Sequence, residues 1–494
     1  LSAFTKQQIK IISLLTGIVI ALFFYLVNPF SVSAKAAVVL AVAMLMITWW
    51  VTEALPMPVV ALLPLILFPI LGISEIKAVA VSYADPNIFL FMGGFMLGLA
   101  IEKWNLHRRI ALGIVKITGT SGNRIVLGFI LATGFISMWI SNTATTMMMF
   151  PIALSVIHVM KDSNDGSGNM KHFNLALMLS IAYASNFGGI ATIVGTPPNV
   201  AFVGFYEKNY NTNIDFIDWM LLCMPVAVVL LVALYLVLTR VLFRNRIQSS
   251  EAARQYIQEE YTALGPLSVP EKRVLLIFIC TALLWIFKDL INAAQQQLRL
   301  DDTIIALTGA VILFICPSGS GKQADNLNEA GESEWQGGVL EWGDTKKMAW
   351  GILLLFGGGI ALAGALERAG LIQQMGEWLS QFAGGGSFLL VLMVTVLSIF
   401  ISEVMSNIAQ VIVFSPVVCS LATAIGMNPM ILGIAMTLAS SCASMMPMGT
   451  PPNAIAFASG HIRIKQMMRA GFVMNIVAIT LITLFCWFVL PIIM

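Results

Sequence analysis

Residues 141–151 read Ser-Asn-Thr-Ala-Thr-Thr-Met-Met-Met-Phe-Pro, and residues 406–416 read Ser-Asn-Ile-Ala-Gln-Val-Ile-Val-Phe-Ser-Pro. Each stretch stands inside a long apolar run, where an unsatisfied polar group is expensive. Gly-Thr-Pro-Pro-Asn follows each one, at 195–199 and at 449–453. These residues offer oxygens and, wherever a helix begins among them, free N–H groups. A helix N-terminus carries about half a positive charge and suits an anion. Exposed carbonyls and the oxygens of Ser and Asn suit a hard cation such as sodium. A Ser-Asn pair at a helix break can therefore serve an anion and a cation side by side. Thr143, Thr196 and Thr450 add hydroxyls, and Ser137 lies one helical turn before Ser141. Neither motif contains Lys, Arg or His. An anion held there has no protein cation beside it. Co-bound sodium ions would supply that charge, which favours coupled symport over facilitated diffusion.

Plainer readings compete. Ser, Thr and Asn in membrane helices often serve only to join helices. Two matched copies, each followed by the same pentapeptide, favour a binding site, because matched interruptions of apolar segments mark sites in transporters. Glu53, in Thr-Glu-Ala-Leu-Pro, and Glu403, one turn before Ser406, are carboxylates within apolar stretches. Glu403 could tune a cation site, and a hydrogen-bonded structural role is an equal reading for both. His107, His158, His172 and His461 have no metal-ligand spacing. Ser318-Gly-Ser-Gly-Lys322 lacks the leading Gly and the trailing Ser or Thr of a phosphate loop. All six cysteines fall in apolar stretches without disulfide or metal spacing and read as packing residues.

The elements that would position the motifs follow from composition. The chain has 494 residues, of which 58% are hydrophobic and 11% charged, with a mean hydropathy of +0.88. A soluble protein carries about 25% charged residues, so this is an all-α polytopic membrane protein rather than a globular enzyme. No basic aromatic patch points to nucleic acid. Spanning helices are expected near 10–27, 34–52, 55–71, 84–103, 173–206, 217–241, 270–290, 301–317, 348–368, 429–457 and 467–493, with an amphipathic connector near 248–262. The first apolar run lacks a small-residue cleavage site and is expected to remain as a helix. The stretch 318–346 is polar and Gly-rich and reads as a flexible loop. The two Ser-Asn segments, 123–159 and 387–421, read either as bent spans or, better, as re-entrant hairpins with the Ser-Asn pair at the tip. Pro-Pro at 197–198 and 451–452 is expected to break the later helices alike.

Charge tests this topology. With eleven spans, two hairpins and the N-terminus inside, only Lys35, Lys77, Lys208, Lys288, Arg299 and Arg368 of the 27 basic residues fall outside. That asymmetry fits the positive-inside rule, and reading either hairpin as a full span weakens it. Phe91, Gly94, Glu102 and Leu106 match Phe356, Gly359, Glu367 and Leu371 at the same offset as Ser141 and Ser406. Glu102 then ends its helix inside and Glu367 outside, so the halves are inverted repeats. The C-terminus is expected outside, in an inner or plasma membrane.

Taken together, the paired Ser-Asn motifs, the two Gly-Thr-Pro-Pro-Asn pentapeptides and Trp-Trp-Val-Thr-Glu-Ala-Leu-Pro at 49–56 resemble the divalent anion:sodium symporter family of di- and tricarboxylate transporters. The resemblance covers nearly the whole chain. It implies a homodimer in the lipid bilayer and an elevator mechanism. Scaffold helices would occupy 1–122 and 248–386, and a transport domain 123–247 and 387–494. It implies a first sodium site from Ser137, Ser141, Asn142 and Gly195, and a second from Ser402, the Met405 carbonyl, Asn407 and Gly449. The substrate carboxylates would meet Ser141, Asn142 and Thr143 on one side and Ser406 and Asn407 on the other, with Thr196 and Thr450 nearby. One departure stands out: the second motif has Ile408 where the family often has Thr. One hydroxyl is thereby lost, and Gln410 is placed to compensate. Relatives that exchange dicarboxylates without sodium use a basic residue in place of the ion, and none stands in these motifs. Sulfate transport and an anion channel are the remaining alternatives. The channel is disfavoured because a uniform pore needs no inverted repeat.

Overall fold

The structure is a computed structural model that describes residues 6–162, 168–245, 247–249, 251–295, 297, 299–319, 337–380 and 387–493. Helices account for nearly all of it. In chain order they are α1 (Lys6–Val27), α2 (Ala34–Val51), α3 (Met57–Val60), α4 (Leu63–Ile70), α5 (Ile76–Val81), α6 (Pro86–Lys103) and α7 (Leu106–Thr118). The first Ser-Asn segment forms α8 (Gly122–Ser137) and α9 (Asn142–Asp162), followed by α10 (Gly168–Gly189), α11 (Pro197–Tyr210) and α12 (Phe216–Leu236). The middle of the chain gives α13 (Glu251–Ala263), α14 (Val269–Ala294), α15 (Asp302–Ile315), α16 (Trp350–Arg368) and α17 (Leu371–Ser380). The second segment forms α18 (Ser387–Ser402) and α19 (Asn407–Ala424), then α20 (Pro429–Ser440), α21 (Pro451–Ala458), α22 (Ile464–Leu484) and α23 (Leu490–Ile493).

Nine of the described helical stretches are long and apolar enough to cross a membrane, and α9 and α19 are among them. Length therefore does not distinguish a hairpin limb from a crossing helix. Fold-back does: α8 touches α9 and α18 touches α19. The chain between each pair of limbs leaves the helix for a few residues, 138–141 and 403–406. The double prolines do not end a helix. They open α11 and α21, where a missing N–H costs nothing and φ is preset. The breaks lie just upstream, at 190–196 and 441–450.

Two helices after the matched glutamates were absent from the sequence reading. α7 buries Leu106, His107, Ala111, Leu112 and Val115, spaced by one turn or less, and turns its arginines to Glu260 and Glu271. Burial lowers the His107 pKa below the usual histidine value, which fits a packed imidazole. Its counterpart α17 begins at Leu371, the residue paired with Leu106. In the polar stretch, a short 3-10 helix spans Trp342–Lys347 and Pro317 pairs with Gly338. The flexible loop expected across the rest, 320–336, lies outside the described residues.

The duplication is visible in the packing. Phe91 and Phe356, equivalent positions, meet edge to face with ring centroids 5.4 Å apart. Both α12 and α22 give way to a π-helical stretch, Val237–Leu242 and Phe485–Val489, each beginning 21 residues in. α8 and α10 approach closely enough that a Cβ on Gly188 would sit against the backbone of Gly134. Glycine at 188 is what allows that contact, since a Cβ on Gly134 would point instead at the Leu231 side chain.

Candidate functional site

The hairpin breaks and the helix breaks converge on one cavity of about 690 Å³. Ser141, Asn142 and Thr143 line it from the first half, and Met405, Ser406, Asn407 and Ile408 from the second. Thr196, Gly449 and Thr450 complete it from the two Gly-Thr-Pro-Pro-Asn segments. α9 and α19 both start at the cavity, so both present N-terminal N–H groups to it. The Ser141 hydroxyl accepts the Ala144 amide at 3.3 Å, while the Ser406 side chain makes no capping bond.

Behind each tip stands the same oxygen cluster. Ser137 Oγ lies 2.6 Å from Asn142 Oδ1 and 2.8 Å from the Ser185 carbonyl. Ser402 Oγ lies 2.9 Å from Asn407 Oδ1 and 2.7 Å from the Ser440 carbonyl. Both serines are fully buried. In each half a serine hydroxyl, an asparagine side chain and a backbone carbonyl thus converge on one buried point. A Cβ on Gly195 would meet the Gly189 and Met138 carbonyls, the latter at 3.0 Å. At Gly449 it would meet the Met446 carbonyl at 3.3 Å and the Glu403 carboxylate at 2.9 Å. Glycine at these positions lets oxygens crowd in. Ser137, Ser402 and Gly195 lie behind the cavity wall rather than on it.

The asparagines that end the pentapeptides hold the breaks together. Asn199 Nδ2 donates to the carbonyls of Gly189, Ile190 and Thr192, at 3.3, 3.3 and 2.8 Å. Asn453 Nδ2 donates to Ala443 and Met446, at 3.1 and 3.2 Å. The Oδ1 atoms of both are buried without a hydrogen-bond donor.

Two features escaped the sequence reading. Asn186 lines the cavity and donates to Thr450 Oγ1 at 3.0 Å, tying the two halves. Its only sequence signal was a polar residue in an apolar helix. Met448 also lines the cavity. Glu53, left open before, stands on the opposite wall with Val51, Thr52 and Met57. Gln410 does not compensate for Ile408. It is buried away from the cavity, with its amide donating to the Ser398 carbonyl at 3.0 Å and to the Ser398 hydroxyl. The lining contains no Lys, Arg or His.

The chain matches the family described as the sodium:sulfate symporter transmembrane region over residues 7–494. It is 36% identical over 487 residues to the sodium-dependent dicarboxylate transporter SdcS of Staphylococcus saprophyticus, covering 98% of this chain and 92% of that protein. Against SdcS of Staphylococcus aureus it is 36% identical over 471 residues, covering 94% and 88%. Two solved transporters share the fold at low identity. The YdaH transporter of Alcanivorax borkumensis has a TM-score of 0.55 at 13% identity, covering 82% of this chain and 86% of that one. MtrF of Neisseria gonorrhoeae has a TM-score of 0.51 at 12%, covering 83% of each.

Proposed function

Since the chain belongs to the divalent anion:sodium symporter family, we propose that it is a sodium-coupled dicarboxylate transporter that holds the anion between the two Ser-Asn tips and a sodium ion in each oxygen cluster behind them. The observation that carries this reading is the matched convergence of buried oxygens around Ser137 and Ser402. Converging buried oxygens suit a hard cation. The relatives are named for sodium-dependent dicarboxylate transport. A sodium-independent exchanger needs a basic residue at the anion, and the cavity lining has none. The cavity volume lies in the usual small-molecule range of about 300–1,000 Å³.

The first ion site comprises Ser137, Ser141, Asn142 and Gly195, and the second Ser402, Met405, Asn407 and Gly449. Ser141, Asn142, Thr143, Thr196, Ser406, Asn407 and Thr450 contact the anion. In this reading 123–247 and 387–494 move as an elevator against a scaffold of 1–122 and 248–386, within a homodimer. With the N-terminus inside, α2 ends and α16 begins at the inner face, and Glu53 and Ala349 beside those ends line the cavity. The outer end is held shut. Glu207 accepts from Asn87 at 2.6 Å, Lys208 reaches Ser82 at 3.2 Å, and Lys288 bridges Asp215 and Asp302. On this topology we read the conformation as inward-facing.

Purified protein in sealed vesicles should concentrate labelled succinate under an inward sodium gradient and fail to do so in choline. Equal uptake in both would end the symport reading. Counterflow without sodium would identify an exchanger, and flux that never exceeds equilibrium a channel.

Thr143 and Ile408 occupy equivalent positions, and both line the cavity. A hydrogen bond to a charged group contributes about 1.5–3 kcal/mol. Thr143→Val should weaken succinate binding by about tenfold or more. Ile408→Thr should be tolerated and should favour citrate relative to succinate. Competition of both acids against a labelled substrate checks this, and an unchanged affinity in Thr143→Val removes that hydroxyl from the anion site.

A further inference from the structure

The two half-sites differ in one charge. Glu403 follows Ser402, and the equivalent residue after Ser137 is Met138. The Glu403 carboxylate is buried and makes no ion pair among the described residues. Its Oε1 accepts the amides of Ser444 at 2.9 Å and Met445 at 2.8 Å, and the Asn475 side chain at 2.7 Å. Oε2 accepts the Met446 amide at 2.8 Å. Four donors converge on it: three backbone amides and the Asn475 side chain. It thus gathers the N–H groups of the break before α21. In the first half the break is organised without charge. There the Thr192 hydroxyl donates to the Met138 carbonyl and accepts the Gly195 amide at 3.0 Å.

This carboxylate lies where it acts on the second cluster. A Cβ on Gly449 would fall 2.9 Å from Glu403 Oε2, so carboxylate and glycine backbone are in contact. An uncompensated negative charge in a low-dielectric site attracts a cation far more strongly than neutral oxygens do. We propose, on the sodium-coupled reading above, that Glu403 is a positioning residue that makes the two ion sites unequal. The second site fills with sodium before the anion arrives. The first, neutral site fills only when the bound dicarboxylate supplies negative charge. Glu403 also fixes the carbonyls of the 443–449 break, so one side chain sets both the charge and the geometry of that site.

The test follows the melting temperature of the full-length protein in detergent. Sodium chloride is titrated against choline chloride at constant ionic strength, without dicarboxylate. Sodium alone should stabilise the wild type. Asn407→Ala and Glu403→Gln should each raise the midpoint of that curve by about tenfold or more, and Asn142→Ala should leave it in place. Asn475→Ala loosens the same break but keeps the carboxylate, and should shift the midpoint much less than Glu403→Gln. Succinate should then add a second sodium-dependent step, lost in Asn142→Ala. Equal shifts in Asn142→Ala and Asn407→Ala would overturn the inequality. So would an unshifted curve in Glu403→Gln. Matching shifts in Glu403→Gln and Asn475→Ala would reduce Glu403 to a structural tie. Should Glu403→Gln fail to fold, the asparagine pair decides the proposal by itself. Sodium stabilisation of the wild type only in the presence of succinate would sink the proposal and leave symport standing. No sodium effect under either condition would sink symport as well.

Discussion

Asn142→Ala and Asn407→Ala are each expected to weaken both sodium binding and dicarboxylate binding, by about tenfold or more when measured with both ligands present. Each amide oxygen is a member of an oxygen cluster, 2.6 Å from Ser137 Oγ in one half and 2.9 Å from Ser402 Oγ in the other. Each residue also lines the cavity between the two tips. Removing the amide takes one oxygen from the cluster, so a cation held there would lose a ligand. Linkage requires that a change in the coupling between ion and anion appear equally in both affinities. Succinate binding measured across a sodium titration in each variant checks this. Normal sodium dependence in both would show that neither amide holds an ion.

Lys288→Met is expected to be the most destabilising of the substitutions considered, by about 3–5 kcal/mol, because breaking a buried pair strands the partner charge. Lys288 Nζ lies 2.6 Å from Asp215 and 3.1 Å from Asp302, and both Lys288 and Asp302 are buried. Asp302 also accepts the Phe216 amide at 2.7 Å, and Phe216 stacks on Trp285 with ring centroids 4.4 Å apart. One lysine thus joins the start of α12 to α14 and α15. Methionine reproduces the lysine chain except for its terminal charged nitrogen and leaves two carboxylates facing each other. The variant should melt lower in detergent, and neutralising the acids as Asp215→Asn and Asp302→Asn should restore much of the loss. If α12 moves against α14 during transport, the variant should also open the outer face, making a cysteine placed at Thr143 more accessible from outside. A melting temperature equal to wild type would show that the bridge adds nothing to the fold.

Much of the site was legible because membrane burial is unforgiving. In a long apolar run every Ser, Asn and Thr needs a reason, so the paired motifs announced themselves, and a second copy at matched spacing excluded chance. All the residues expected to touch the anion line one cavity. Helix positions followed equally from apolar length. The amphipathic helices α7 and α17 were missed because their periodicity is short and broken by charges, and their partners lie far along the chain, as Arg109 and Glu271 do. Gln410 was misplaced because spacing from Ser406 says nothing about which side of α19 faces the cavity. The Ser398 hydroxyl and carbonyl hold its amide on the buried side.

The sequence by itself determined the membrane class, the inverted duplication and the residue types available at each break, since these depend only on local hydropathy and on identity between halves. Tertiary structure alone decided how those residues divide their work. The pentapeptide asparagines turn inward to satisfy carbonyls freed by their own helix breaks, while Asn142 and Asn407 line the cavity and hold their side-chain oxygens against Ser137 and Ser402 behind it. Glu403 and Glu53 looked alike as carboxylates in apolar stretches. Folding places the first against three backbone amides and leaves the second on the cavity wall. The physical reason is the same in each case. A buried backbone group must find a partner, and which side chain can reach it depends on how helices distant in sequence come together.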